Sequence, residues 1–254
     1  MRCSILSLAR LCFPLALALR CGAQGQQPTV AERFLLAAAN QDRAAQHLPP
    51  LHLDEHLVLA ARLHASEMAR HRTISHQFAG EPDLARRAGD TGANFSLITE
   101  NVAEAPNSAQ IHDLWMNSAG HRANLLDPHV DAVGIAVVES RGEYFAVEDF
   151  AHTVEHLTLS QQEATVGSML AQQGLQLDAS NEDARTTCQL SSGYSGQRRP
   201  WFVMRYTSSD IHRLPDQLTS RIATGKYREA AVGACPPEHQ EAFTSYSLAV
   251  LLYP

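Results

Sequence analysis

The chain of 254 residues is 44% hydrophobic and 19% charged, and its 14 Gly and 12 Pro follow no period, which excludes disorder, collagen-like repeats and solenoid arrays. Its 20 Lys and Arg against 27 Asp and Glu give a formal charge of -7 with no basic stripe; phosphate binding needs clustered cations, so nucleic acid is excluded as the partner. A mixed globular chain remains, long enough for one large domain or two modest ones.

Residues 1–23 read as an export signal. Arg2 and Arg10 accompany an apolar core from Leu11 to Leu19, too short for a bilayer span of roughly 20 residues. Cys21-Gly22-Ala23 supplies small residues for cleavage before Gln24, and a lipid anchor on Cys21 is disfavoured by Arg20 beside it. Cleavage leaves a net charge of -10 and two cysteines, Cys188 and Cys235. In an exported chain these two are expected to pair, for a loop-closure gain of roughly 3 to 5 kcal/mol. The mature protein is expected to be secreted or periplasmic, without a transmembrane segment.

After a linker over 24–31, Thr29-Val30-Ala31-Glu32 forms a capping box that opens a first helix through the Ala-rich run to Gln46, ended by Pro49-Pro50. Asp54 caps a second helix whose Leu57, Ala61, His64 and Met68 share one face. Gly89 to Asn94 is read as loop. A third helix runs from about Ser108 through Trp115, and a short fourth starts at Ser118 and stops at Asp127-Pro128. From Asp131 the period becomes two, and Val133, Ile135 and Val137, a turn at Glu139 to Gly142, and Tyr144 to Phe150 give a β-hairpin. This places one domain over 32–152 and a second, smaller α/β domain over 153–254.

In the second domain Ser160-Gln161-Gln162-Glu163 reads as a capping box opening a helix closed by Gly174. A strand over 201–207, a helix over 215–224, and strands over 230–234 and 246–253 follow. Ala231 to Ala234 with Tyr246 to Val250 faintly echo Ala132 to Ile135 with Tyr144 to Val147, as short apolar strands do by chance.

Eleven of the 13 histidines fall between residues 47 and 156, yet no HExxH, CxxC or His tract occurs. His64, on the apolar helix face, is read as a core histidine. Three segments place titratable residues where helices begin or end: Ser75-His76, Glu100-Asn101-Val102-Ala103, and Trp115-Met116-Asn117-Ser118-Ala119-Gly120-His121-Arg122-Ala123-Asn124. Gly193-Tyr194-Ser195-Gly196 imitates a nucleophile elbow but has Gln197 where glycine is required.

These blocks, with Asn40, Arg43 and Val133-Gly134-Ile135-Ala136, resemble in order and interval the bacterial CAP-domain (SCP-like) extracellular proteins, over residues 32–152. The resemblance implies an α+β fold, an α-β-α sandwich with a cleft of paired His and Glu residues. His76 matches its first histidine, Glu100 its acid and His121 its second histidine. Animal and plant members carry a second glutamate three residues after the tryptophan. Here that place holds Ser118, so a four-ligand site is incomplete, and Glu148 or Asp149 is the available substitute, against the habit of strand acids to face solvent.

Two imidazoles and a carboxylate suit zinc or another divalent cation with an open position, and equally suit hydrogen bonds to a ligand. Asn101, Asn124 and Ser118 complete the expected ligand-binding set. The two asparagines are read as scaffold, Ser118 as the cap of the helix bearing His121, Trp115 as packing, and Arg122 as pairing with a nearby acid. Two functions follow. The favoured one is a secreted protein binding a lipid, peptide or envelope ligand without turnover, and the other is a metal-assisted hydrolase or protease using His76, Glu100 and His121.

Overall fold

The computed structural model describes residues 27–236 and 243–254; the export segment and Cys21 lie outside the described residues. The capping box forms as read, Glu32 N–H donating to Thr29 Oγ1 and Thr29 N–H to Glu32 Oε2, so α1 (Val30–Ala45) starts two residues inside the expected linker. A two-residue strand β1 (His52–Leu53) leads into α2 (Glu55–His71), capped by Asp54. Helix α3 (Leu84–Asp90) and the eleven-residue strand β2 (Phe95–Ala105) flank the expected loop, which is shortened to residues 91–94, and β2 takes up the unassigned apolar step. Helices α4 (Ser108–Asn117) and α5 (Ala119–Leu125) precede the hairpin β3 (Ala132–Ser140) and β4 (Glu143–Thr153).

The first sheet has the order β1-β3-β4-β2, with β1 parallel to β3 and the other pairs antiparallel. Alternation along the strands sends Ala103, Val133, Ile135, Ala146 and Phe150 to one face, under Leu35 and Ala39 of α1, Ile111 and Trp115 of α4, and Leu125 of α5. The other face carries Val102, Ala136 and Val147 against Ala61, Ala65 and Met68 of α2. Helices on both faces of a central sheet make the expected α-β-α sandwich. Arg43 is fully buried and donates to the carbonyls of Pro49, Leu125, Asp127 and Val130, so one guanidinium satisfies four backbone acceptors where α1 meets the chain after α5.

Beyond Thr153 a second unit follows: α6 (Leu159–Gln172), β5 (Gln176–Leu177), α7 (Glu182–Cys188), β6 (Phe202–Ser208), α8 (Asp216–Ile222), β7 (Glu229–Cys235) and β8 (Tyr246–Tyr253). The cap of α6 is Thr158, boxed with Gln161, and not Ser160 as the sequence suggested; Thr158 offers its hydroxyl to the N3 amide in the same frame as Thr29. The second sheet has the order β5-β7-β8-β6 and its own apolar core around Val166, Leu170, Leu218, Val232, Leu248 and Val250. Cys188 at the end of α7 is bonded to Cys235 at the end of β7, with their Cα atoms 5.9 Å apart.

Each unit also carries one buried acid that spans helix and sheet. In the first, Glu32 Oε1 accepts from Val137 N–H of β3 and pairs with Arg62 of α2. In the second, Glu163 of α6 accepts from Ala234 N–H of β7 and pairs with Arg185 of α7.

Candidate functional site

Strand β2 brings Glu100 to the middle of the first sheet, on the face covered by α2 and α3. Its side chain is 3% exposed, and both oxygens are engaged: Oε1 accepts from His76 Nδ1 at 2.8 Å and Oε2 from Arg87 of α3 at 2.5 Å. Arg87 also donates to the carbonyls of His76 and Pro82, which pins the loop bearing His76 over the strand. His64 is fully buried and faces Glu81 Oε1 and the Ser75 carbonyl, each at 2.7 Å, with Glu100 Oε2 3.8 Å away. The expected core histidine is thus also a strut of the site, positioning the segment just before His76.

His76 itself remains open, with a side-chain exposure of 62%. The hydrogen bond to the Glu100 carboxylate raises its pKa above the usual histidine value, against the opposing effect of burial. Burial, and then the nearby charge of His76, lower the pKa of His121. The fold therefore brings His76 and His121 within electrostatic reach of each other, one favouring the cation and the other the neutral ring. Histidine NMR titration should place His76 above 6.5 and His121 below it, and Glu100→Gln should lower His76 most, because the charged acceptor is its largest influence. A His76 titration unmoved by Glu100→Gln would break this assignment.

Asn101 is buried, and its amide donates to the His121 carbonyl at 3.0 Å; Asn124 donates to Asn101 Oδ1 and to the Glu100 carbonyl. The two asparagines tie α5 to β2 and hold the His121 backbone, which is the scaffold role; the buried Asn101 offers nothing to a ligand. Ser118 stands at the N-cap of α5 but makes no side-chain cap hydrogen bond, so its expected capping role is corrected. Arg122 donates to the Met116 carbonyl instead of pairing with an acid. Trp115 is fully buried between α4 and the sheet, as read.

The habit of strand acids to face solvent fails here, because this sheet is covered on both faces: Glu148 and Asp149 are completely buried. Asp149 lies opposite Glu100 across the β2/β4 pairing. Burial first, and then the Glu100 charge, push its pKa well above the ordinary carboxylate range. Asp149 finds no other hydrogen-bond partner, so the two acids share a bond only when one of them is protonated. A second acid therefore stands on the floor of the site, supplied by the strand. Its signal in the sequence was the pair Glu148-Asp149 interrupting an otherwise apolar strand.

The fit of His76, Glu100 and His121 to zinc is set by this wiring. Among the described residues, no group of three or more His, Cys, Asp or Glu side chains is placed to hold a metal ion. Glu100 has both oxygens hydrogen-bonded, and a cation at either would compete with His76 or Arg87 for the carboxylate's charge. The donor set in this arrangement does not fit a divalent ion, because Arg87 already supplies the positive charge that the carboxylate requires.

Residues 36–154 match the model of the cysteine-rich secretory protein family, CAP. The chain is similar to the uncharacterized protein YkwD of Bacillus subtilis (32% identity over 113 residues, 43% of each chain). It is also similar to an uncharacterized protein of Borreliella burgdorferi (24% over 102 residues, 40% of this chain and 65% of that one). The chain thus spans less than two thirds of either relative. Among solved structures, an extracellular SCP-domain protein of Bacillus anthracis aligns at 26% identity and a TM-score of 0.44, covering 48% of this chain and 40% of that one. An outer surface protein of Borrelia burgdorferi aligns at 20% identity and a TM-score of 0.46, covering 51% and 98%.

Proposed function

We propose that this is a secreted protein whose cleft, within the residues 36–154 that match the CAP family model, holds a peptide-like ligand at His76 and His121 without turnover. The observation that carries this reading is the saturation of Glu100 by His76 and Arg87. The carboxylate is spent on internal bonds, and the imidazoles are what the site offers outward. Once protonated, His76 donates from Nδ1 to Glu100 and has a second N–H, on Nε2, for a carbonyl or acidic oxygen.

A groove of about 660 Å³ opens beside the His76 loop at Ile74, with Leu114 and Pro106 in its wall and Glu104, Asp113 and Glu143 around it. An apolar wall with acids and no base favours a body carrying apolar and basic side chains, which is why a peptide is preferred to an anionic lipid. No described helix is long and apolar enough to cross a membrane. Metal-assisted hydrolysis has no specific observation in its favour, since zinc at Glu100 would compete with His76 and Arg87 for its oxygens.

Calorimetry with an amphipathic Leu/Lys peptide, palmitate and zinc chloride, on the wild type and on the His76→Ala/His121→Ala double variant, tests the reading. The expected result is saturable binding of the peptide, weakened at least tenfold in the variant. Zinc uptake by the wild type alone, or peptide cleavage lost in the variant, overturns it in favour of the hydrolase; no binding of any probe overturns the binding site itself.

A further inference from the structure

We infer that residues 158–254 are a second copy of the fold spanning residues 29–153, whose ligand cleft has been replaced by a face that closes on itself. Apart from α3 and α5, which only the first half has, a Thr-capped helix leads in both halves to a two-residue strand, a helix across the sheet, an outer strand, a further helix and a closing hairpin. The strand orders β1-β3-β4-β2 and β5-β7-β8-β6 are the same, and so is every strand direction: the short strand is parallel to its neighbour and the rest are antiparallel.

Two finer correspondences go beyond strand order, the close glycine and the cross-strand row through it, and a third is alike in kind only. Gly134 lies against the backbone of α2, where a Cβ would fall 2.1 Å from the Leu57 carbonyl carbon; Gly233 lies against α7 in the same way, 2.1 Å from the Ala184 carbonyl carbon. The first helix of each half also ties an acid to the hairpin edge and to the helix across the sheet, though not at matched positions: Glu32, three residues past its cap, takes Val137 N–H and Arg62, and Glu163, five past its cap, takes Ala234 N–H and Arg185. The cross-strand rows also match, Gly134-Asp149-Glu100 in the first sheet and Gly233-Ala249-Arg205 in the second. The echo between residues 132–147 and 231–250 is therefore not a chance likeness of apolar strands.

The rows also show what the second copy lost. Where the first has Glu100 and Asp149 facing α2, the second has Arg205 and Ala249; where the first has Asn101 and Glu148 on the opposite face, the second has Tyr206 and Leu248. The helix across the sheet shrinks from 17 residues to 7. In the first copy the strand supplies the acid and the overlying segment the cation, Arg87. In the second the polarity is reversed: Arg205 on the strand donates to the carbonyls of Thr187 and Gly193, while Ser195 N–H donates to Thr187 Oγ1. These bonds draw the segment between α7 and β6 down onto the sheet and leave it no imidazole or carboxylate to offer. The chain is thus a tandem pair with one working cleft and one blank.

A crystal structure of the full chain, with its halves superposed through the three long strands of each sheet, tests the copying. Gly233 should fall on Gly134 and Arg205 on Glu100 within about 2 Å, and a different strand order or a register offset would overturn the inference. Hydrogen exchange tests the closure: Arg205→Ala should speed exchange at least tenfold over residues 189–196 and leave β7 and β8 unchanged. Unchanged exchange in that segment overturns it. Should Arg205→Ala fail to fold, Thr187→Val, which removes only the acceptor for Ser195, should give the same local increase, and its absence is equally decisive.

Discussion

Gly134→Ala is expected to unfold the N-terminal half, or to lower its melting temperature by more than 10 °C. A Cβ at this position would lie 2.1 Å from the carbonyl carbon of Leu57, 2.3 Å from its oxygen and 2.5 Å from Val58 N. These are backbone atoms in the first turn of a 17-residue helix, so no side chain can swing aside. The helix must lift, and Leu57, Ala60, Ala61, Ala65 and Met68, each at most 1% exposed, must lift with it. Ordinary overpacking costs roughly 1 to 3 kcal/mol, and displacing a whole helix face should cost about 4 kcal/mol or more, the range reserved for severe core defects. Gly120 is the control: it lies in α5 with open space where a Cβ would stand, so Gly120→Ala should be neutral or stabilising by up to about 1 kcal/mol. Thermal unfolding of the two variants decides the matter, and a Gly134→Ala protein as stable as the wild type would show that α2 does not sit this close to the sheet.

Glu148→Gln should stabilise the protein in alkaline solution and leave it almost unchanged at acid pH. Burial pushes the Glu148 pKa up to about 8, and neither carboxyl oxygen has a hydrogen-bond partner. The folded chain therefore holds a proton that the unfolded chain releases near its ordinary value of about 4.5. Between those two values the native state binds more protons than the unfolded state, so stability falls as pH rises, by roughly 1.4 kcal/mol per unit. The accumulated loss reaches about 5 kcal/mol by pH 8 and then levels off. A glutamine cannot ionise, and it keeps the shape and polarity of the protonated acid. Urea unfolding of both proteins at pH 3.5 and pH 8.5 should show curves that coincide at the lower pH and diverge by several kcal/mol at the higher. Equal stability at pH 8.5 would mean that Glu148 ionises in place. Asp149 is displaced in the same direction and is untouched by the change, so a weaker pH dependence should persist in the variant.

What could be read from the sequence was local. The Thr29 and Glu32 box, the Asp54 cap and the hairpin depend on residues within a few positions of one another, and they stand where the pattern put them. Strand β2 escaped because Glu100 and Asn101 interrupt its alternation at the center, and these are the residues that the site requires there. Helices α3 and α7, of seven residues each, are too short for periodicity to register. His76, Glu100 and His121 were found through resemblance, since nothing in their spacing shows that one cleft gathers them. Arg87, His64 and Glu81 were missed for a related reason: a charge partner 13 or 17 residues away leaves no trace until the loop between them is folded. Asp149 was set aside on the rule that strand acids face water, a rule for sheets with one wet face.

The two buried acids on the first helices have a consequence for how molecules of this protein meet. Strand β1 covers only Ala132 and Val133 of β3, and β5 covers only Glu229 and Ala230 of β7, so among the described residues most of each outer edge has no strand beside it. An uncovered edge invites a strand from another molecule. Glu32 and Glu163 each spend an oxygen on the amide that such a strand would need, at Val137 and Ala234. Burial opposes ionisation of Glu163, but its bonds from Arg185, Ala234 and Asn181 hold its pKa below the usual carboxylate value. Its plug is therefore fully formed above the ordinary carboxylate range and is surrendered only as the pH falls through that lowered value. Each sheet thus carries its own stopper against edge-to-edge aggregation, and the one on the second sheet is kept through mild acidification.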